Sequence, residues 1–123
     1  MTKKHNVIIG KWGEEIASAF LQSKGLELLG QNHRTPHGEI DLIMKDGQTL
    51  VFVEVKTRTS TSAGYPEEGM NERKQKHLRD AIEYYFQENE PNDLSCRIDV
   101  ISIIGKPDDN PPEILWFENA LNG

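Results

Sequence analysis

The stretch GEIDLIMKDGQTLVFVEVKTR, residues 38–58, decides the fold of this chain and carries most of its chemical information. Two apolar runs of strand length, EIDLIM and LVFVEVK, flank an Asp-Gly pair, which is a sequence signal for a tight β-hairpin. A two-residue turn at Asp46 and Gly47 fixes the register of the two strands. It predicts these cross-strand pairs: Lys45 with Gln48, Asp41 with Phe52, and Glu39 with Glu54.

Side chains alternate between the two faces of such a hairpin. One face is wholly apolar and predicts contact with a core: Ile40, Leu42, Met44, Val51, Val53 and Val55. The other face is mixed and holds Glu39, Asp41, Ile43, Phe52, Glu54 and Lys56. Its three carboxylates and one ammonium fall within roughly 5 to 8 Å of one another.

Like charges that face each other across a sheet are destabilising, so this mixed face needs an explanation. Either it is open to water, or its carboxylates coordinate a divalent cation such as Mg²⁺. The apolar residues Ile43 and Phe52 imply partial cover, which favours the cation. Lys56 would then point into the same site and could orient a metal-bound water.

Outward from the hairpin, the pattern predicts an α/β fold with the element order α-β-β-β-α-β-β in one domain, residues 1–123, with its core at about 10–117. The helices are expected at 10–24, ended by Gly25, and from about Met70 to Glu88. The other strands are expected at 26–32, 96–104 and 113–117. His33 and His37 fall in a predicted loop, where we expect no ligand role.

The composition bounds the function. The chain has 123 residues and a net charge of −6, but residues 1–79 carry 12 basic and 10 acidic side chains, whereas residues 80–123 carry 2 and 10. The first part is therefore slightly basic, and the total does not exclude a nucleic acid partner. The single cysteine, Cys96, excludes an intramolecular disulfide. Without a long apolar run, a signal sequence or a glycine-rich phosphate loop, we expect a cytoplasmic protein that uses neither a membrane nor a nucleotide cofactor.

Charged residues on the two predicted helices have two explanations each. Glu14 borders the apolar face of the first helix, where it either complements the helix dipole or reaches the acidic hairpin. The second helix carries a basic stretch that is either a solvated face or a rim that contacts phosphates: Arg73, Lys74, Lys76, His77 and Arg79. Arg34 and Arg58 could extend that rim.

The spacing of Asp41 and the triplet Glu54-Val55-Lys56, after a helix that bears an acid, resembles the active-site pattern of the PD-(D/E)XK nuclease superfamily. The segments GKWGEEIA, GEIDLI, FVEVKTR and RIDVI, with an Asn-His-Arg segment, resemble more specifically the YraN-like family of small uncharacterised bacterial proteins. That family is similar to the archaeal Holliday-junction resolvases. The resemblance spans about residues 10–104 and implies a restriction-endonuclease-like fold with a central mixed five-stranded sheet flanked by helices.

The resemblance also implies roles. Asp41, Glu54 and Glu14 become ligands of Mg²⁺ or Mn²⁺ with the Val55 carbonyl as a further ligand, and Lys56 becomes the catalytic lysine beside Asp41 and Glu54. Glu39 matches a motif position of less defined role. From their charge, we expect phosphate contacts from Arg58, Lys74, Arg34 and Arg73.

The expected activity is metal-dependent endonucleolytic hydrolysis of DNA, with branched or structured DNA as the substrate and a homodimer as a compatible assembly. The alternative is a non-catalytic nucleic-acid-binding or adaptor module on the same fold, which the acidic second part of the chain favours. An interaction domain without a nucleic acid partner is the third option.

Overall fold

Two helices and five strands follow one another in the order expected from the sequence. The structure, a computed structural model, describes residues 3–59, 71–89, 95–108 and 111–121, with side chains from residue 7 onward. Within these ranges the elements are α1 (Lys3–Ser23), β1 (Glu27–Thr35), β2 (Gly38–Asp46), β3 (Thr49–Arg58), α2 (Glu72–Asn89), β4 (Ser95–Ile104) and β5 (Glu113–Phe117). The α/β class and the element order are thus confirmed.

The strands form one mixed sheet in the order β1-β2-β3-β4-β5. Neighbouring strands are antiparallel except β3 and β4, which run parallel from the Thr49–Ser95 pair to the Arg58–Ile104 pair. A parallel pair needs a crossover connection, and α2 lies in that connection. The predicted five-stranded mixed sheet with flanking helices is therefore confirmed.

Each face of the sheet packs against one helix. On one face, Ala17 and Leu21 of α1 join a buried cluster that includes strand residues Leu42, Met44, Val51, Val53, Ile101 and Ile103. On the other face, Leu78, Ala81 and Ile82 of α2 pack with Ile40, Ile43, Leu50, Phe52 and Ile98. Both faces of the β2-β3 hairpin are thus covered, and the explanation that its mixed face is open to water is wrong. Phe52 is fully buried, with Tyr85 and Phe86 against its ring.

The predicted register of the hairpin is wrong by two residues. Asp46 pairs with Thr49 and Ile43 with Phe52, so the turn consists of Gly47 and Gln48. Gly47 has a φ of 62°, which suits glycine at the first position of a two-residue turn. Asp46 stays in β2, where its carboxylate accepts a 3.1 Å bond from Arg97 of β4. A shift by two keeps each paired side chain on its predicted face.

The regular alternation of β2 breaks at Asp41. Pairing of β2 with β3 ends at Leu42 and Val53. Leu42 packs on the α1 side, whereas Ile40 packs on the α2 side, although a regular strand would place both on one face. The prediction that Ile40 shares a face with Leu42 is therefore wrong. The two strands part where the candidate site residues lie.

Several element boundaries differ from expectation. β1 continues to Thr35, so His33 and Arg34 lie in a strand rather than a loop, and the connection to β2 shortens to Pro36 and His37. Helix α1 begins before residue 10, at Lys3. Helix α2 begins at Glu72, after Asn71, whose side-chain oxygen accepts a 2.9 Å bond from the Lys74 backbone N–H; the expected start, Met70, lies outside the described residues.

Candidate metal centre

The candidate site begins where β2 leaves β3. The Asp41 carboxylate Oδ2 accepts a 2.8 Å hydrogen bond from the backbone N–H of Val55. This bond joins the strands just beyond their last regular pair. The register places Glu54 beside Asp41, close enough for the two carboxyl groups to share a hydrogen bond, rather than Phe52 beside Asp41 or Glu39 beside Glu54 as predicted.

Helix α1 brings a third carboxylate to this place. A Cβ atom on Gly13 would overlap Oγ1 of Thr57 in β3 and lie 3.0 Å from its Cγ2, so the helix backbone rests directly on the strand. Only glycine permits this approach. The next residue, Glu14, is half-buried and lies with Glu39 and Asp41 in a group that can place one carboxylate oxygen each within 4.8 Å of one another. The structure thus brings Glu14 to the acidic hairpin, which was one of the two explanations for its place on the first helix.

Lys56 is the cation of the site. It is only 5% exposed, and its Nζ lies 3.5 Å from Glu54 Oε1. Burial lowers the pKa of Lys56, Glu54 opposes this shift, and the nearby Lys74 amine lowers the pKa further. The Lys56 ammonium therefore releases its proton more readily than a surface ammonium would.

The acidic groups of the site lie close together, and the cations around them do not balance their negative charge. Burial, followed by the charges of Glu54 and Glu14, raises the pKa of Asp41 to about 8, although the Val55 N–H opposes the shift. Burial and the neighbouring Glu39 raise the pKa of Glu14 as well. A hard divalent cation with oxygen ligands would relieve this repulsion, so the donor set fits Mg²⁺ or Mn²⁺.

Asn32 belongs to the site, although the sequence pattern did not single out a role for it. It lies in β1 with a φ of 51°. With its amide nitrogen turned toward the two acceptors beside it, Nδ2 donates to Glu39 Oε1 at 2.9 Å and to Glu14 Oε1 at 3.0 Å. The other oxygen of Glu39, Oε2, lies 3.5 Å from Nε of the exposed Arg34. The sequence holds two signals for Asn32: it begins the Asn-His-Arg segment of the family resemblance, and asparagine tolerates a positive φ better than most residues.

The residues expected to contact phosphates are distributed unevenly. Lys74 lines a cavity of about 200 Å³ together with Gly38, Glu39, Glu54, His77 and Leu78. Arg58 and Arg73 are exposed, and Arg58 donates to the carbonyl of Thr57. Among the described residues, neither arginine forms an ion pair with the site carboxylates. Lys76 pairs with Asp80 at 2.8 Å. Lys74 is thus the basic residue that the structure brings to the centre.

The histidines and the cysteine lie elsewhere. The His33 ring packs edge-on against Tyr85, with 5.5 Å between centroids, and the His37 ring lies 6.2 Å from that of Tyr84. Cys96 is exposed at the beginning of β4. In the part of the chain that the structure describes, no helix is long and apolar enough to cross a membrane.

Comparison with known sequences gives a family assignment. Residues 13–103 match the uncharacterised protein family UPF0102. A UPF0102 protein of Syntrophotalea carbinolica is 40% identical over 114 residues, which cover 93% of this chain and 91% of the relative. One from Caldicellulosiruptor saccharolyticus is 40% identical over 113 residues, 92% and 96% of the two chains. One from Neisseria meningitidis serogroup C is 41% identical over 110 residues, 89% and 91% of the two chains. These matches confirm the resemblance to YraN-like proteins.

Proposed function

This chain belongs to the uncharacterised protein family UPF0102, and we propose that it is a metal-dependent endonuclease of the PD-(D/E)XK superfamily that hydrolyses DNA phosphodiester bonds. The observation that carries the proposal is the convergence of acids on Asp41: Glu14 and Glu39 lie within ligand distance of it, and Glu54 lies beside it with the buried amine of Lys56. They come from α1, β2 and β3, so the fold itself assembles the group. The resemblance to the archaeal Holliday-junction resolvases suggests branched or structured DNA as the substrate.

Four groups of this chain would hold Mg²⁺ or Mn²⁺: the carboxylates of Asp41, Glu54 and Glu14 and the carbonyl of Val55. The Val55 peptide suits this role because its N–H already fixes Asp41. A bound divalent ion would lower the pKa of a water ligand and neutralise negative charge on the phosphate. Carboxylate, carbonyl and water oxygens are the ligands that these ions prefer.

Lys56 would orient the attacking water and stabilise the charge that develops on the phosphate. The ion pair with Glu54 holds its amine in place at 3.5 Å, and burial restricts its rotamers. The attack forms a bond between the water oxygen and phosphorus, breaks the bond from phosphorus to the leaving oxygen, and transfers a proton to that oxygen. Lys74 lies near the Lys56 amine and lines the adjoining cavity, so it would contact a neighbouring phosphate.

Phosphate contacts outside the centre would come from Arg34, Arg58 and Arg73. All three are exposed, so they can move toward a bound strand. Since Arg34 faces Glu39, DNA binding would have to exchange that exposed ion pair for a phosphate contact. Binding should therefore be modest and weaken with salt.

The test is a cleavage assay with single-stranded, duplex, flapped and four-way DNA and the matching RNAs, in Mg²⁺ or Mn²⁺. Glu54→Gln and Lys56→Ala should abolish cleavage while leaving the fold intact. Glu15→Gln and Lys24→Ala are the matched controls, because both residues are exposed. Full activity of Glu54→Gln or Lys56→Ala would contradict the mechanism.

A non-catalytic nucleic-acid-binding or adaptor role is the second candidate. The excess of acidic residues in 80–123 favours it, because it limits the basic surface available to a long duplex. Isothermal titration with Mg²⁺ and Mn²⁺ separates the two candidates. A nuclease site should bind the ions, and an adaptor that has lost catalysis should not; a domain without a nucleic acid partner would show no salt-dependent retention on DNA.

A further inference from the structure

The backbone of Asn32 is unusual for a strand residue. Its φ of 51° falls in the left-handed region, which non-glycine residues enter at a cost. The flanking pairs Gln31–Leu42 and His33–Ile40 keep β1 and β2 in one register across it. Asn32 therefore lies opposite Asp41 on the neighbouring strand. Two irregular positions, one on each strand, thus face each other at the site.

The side chain of Asn32 contacts two acids from different elements. With its amide nitrogen turned toward both acceptors, it donates to Glu14 of α1 at 3.0 Å and to Glu39 of β2 at 2.9 Å. Without a donor between them, these two carboxylates would repel each other. Hydrogen bonds from an amide to a carboxylate are stronger than those between neutral groups. The amide group therefore joins the helix acid to the strand acid.

From this geometry we infer that Asn32 is a positioning residue, which ties Glu14 to Glu39 and so holds the Glu14 carboxylate beside Asp41, where it can serve the cation. The inference rests on the proposed function, because it assigns Asn32 to the same metal centre. If the positive φ were the only requirement at position 32, glycine would suit it better than asparagine. The carboxamide adds what glycine lacks, which is a single NH₂ group with two donors.

Substitutions separate the backbone role from the side-chain role. Asn32→Gly keeps the left-handed backbone and removes the donor, and Asn32→Asp keeps the shape and replaces the donor by a third repelling carboxylate. The matched control is Asn119→Gly, because Asn119 also has a φ of 51° and its backbone N–H bond to Asp99 survives in glycine. Asn119 is exposed in the turn after β5.

The first measurement is Mn²⁺ affinity by isothermal titration, with unfolding in urea as the stability readout. Loss of a partner that orients metal ligands typically weakens metal binding by about 10- to 100-fold. We expect Asn32→Gly to lose about tenfold at unchanged stability, and Asn119→Gly to bind as the wild type does. Wild-type affinity in Asn32→Gly would overturn the inference.

The second measurement does not depend on metal. In ¹H–¹⁵N spectra of the metal-free protein, Glu14→Gln and Glu39→Gln should each shift the side-chain amide signals of Asn32. Glu27→Gln, which changes an acid in the same strand as Asn32, should leave these signals in place. If the wild type binds no Mn²⁺ but these shifts occur, the proposed function fails, whereas the hydrogen bonds of Asn32 to both acids stand. Unmoved Asn32 amide signals in both glutamate variants would refute these hydrogen bonds and with them the inference.

Discussion

Replacing Asp41 by asparagine should change how the stability of the metal-free protein depends on pH. The folded state holds a proton on this carboxyl group up to a pKa of about 8, whereas the ordinary value is 3.8. Between these values the unfolded chain has released the proton and the folded chain has not. The folded state thus binds more protons, and its stability falls as pH rises through this window.

The size of the effect follows from the same two values. One pH unit of differential protonation corresponds to about 1.4 kcal/mol, so the full window would remove about 6 kcal/mol. The effective dielectric around ionisable groups in proteins is about 20, well above that of a dry interior, so the real loss is smaller than this upper limit. We therefore expect the wild type to lose about 2–3 kcal/mol between pH 5 and pH 9 relative to Asp41→Asn.

The assay is urea unfolding in EDTA at pH 5, 6, 7, 8 and 9, followed by tryptophan fluorescence. The asparagine variant is the reference at each pH, because it keeps an acceptor for the Val55 N–H and cannot ionise. Titrating groups remote from the site are common to both proteins and cancel in the difference. Mn²⁺ should restore stability of the wild type at high pH and leave the variant unchanged. Parallel pH curves for the two proteins, or a difference that grows in favour of the wild type as pH rises, would refute the reasoning.

Three further substitutions test the framework around the site. Gly13→Ala should cost about 1–3 kcal/mol in urea unfolding and weaken Mn²⁺ binding, and adding Thr57→Ala should restore both, unless the helix does not rest on β3. Asp99→Ala should cost about 3–5 kcal/mol, because it leaves Arg97 without its buried partner; a cost near zero would contradict this. Phe52→Ala should cost about 3–5 kcal/mol, because it leaves a cavity between β3 and α2; an unchanged unfolding temperature in calorimetry would contradict this.

Elements with strong local periodicity could be predicted from the sequence. Strand β5 was expected at 113–117 and lies at Glu113–Phe117, and the stripe of apolar residues in the second helix faces the sheet at Leu78, Ala81 and Ile82. These patterns are local because burial follows the period of the element itself. Register is different, since an Asp-Gly pair can occupy either of two places in a turn. The contact of Asp46 with Arg97, 51 residues away, favours the observed one.

The acidic centre could be predicted in part. Residue types and spacing suffice to name Asp41, Glu54 and Lys56, because all three lie on one hairpin. The addition of Glu14 depends on how closely α1 approaches β3, which a single glycine contact with Thr57 decides. Such a contact leaves no periodic signal in the sequence.

The two departures from regular β structure explain how acids from both faces of the sheet can meet. In a regular strand, Asp41 would face α2 together with Ile43, away from Glu14 on α1. Because the alternation breaks between Ile40 and Leu42, the Asp41 carboxylate lies within reach of Glu14 and still accepts the Val55 N–H. Opposite this break, Asn32 takes its left-handed backbone. Local irregularity of this kind costs free energy, and proteins retain it chiefly at functional sites. Its coincidence with the carboxylates is therefore an independent argument for a functional site at this end of the hairpin.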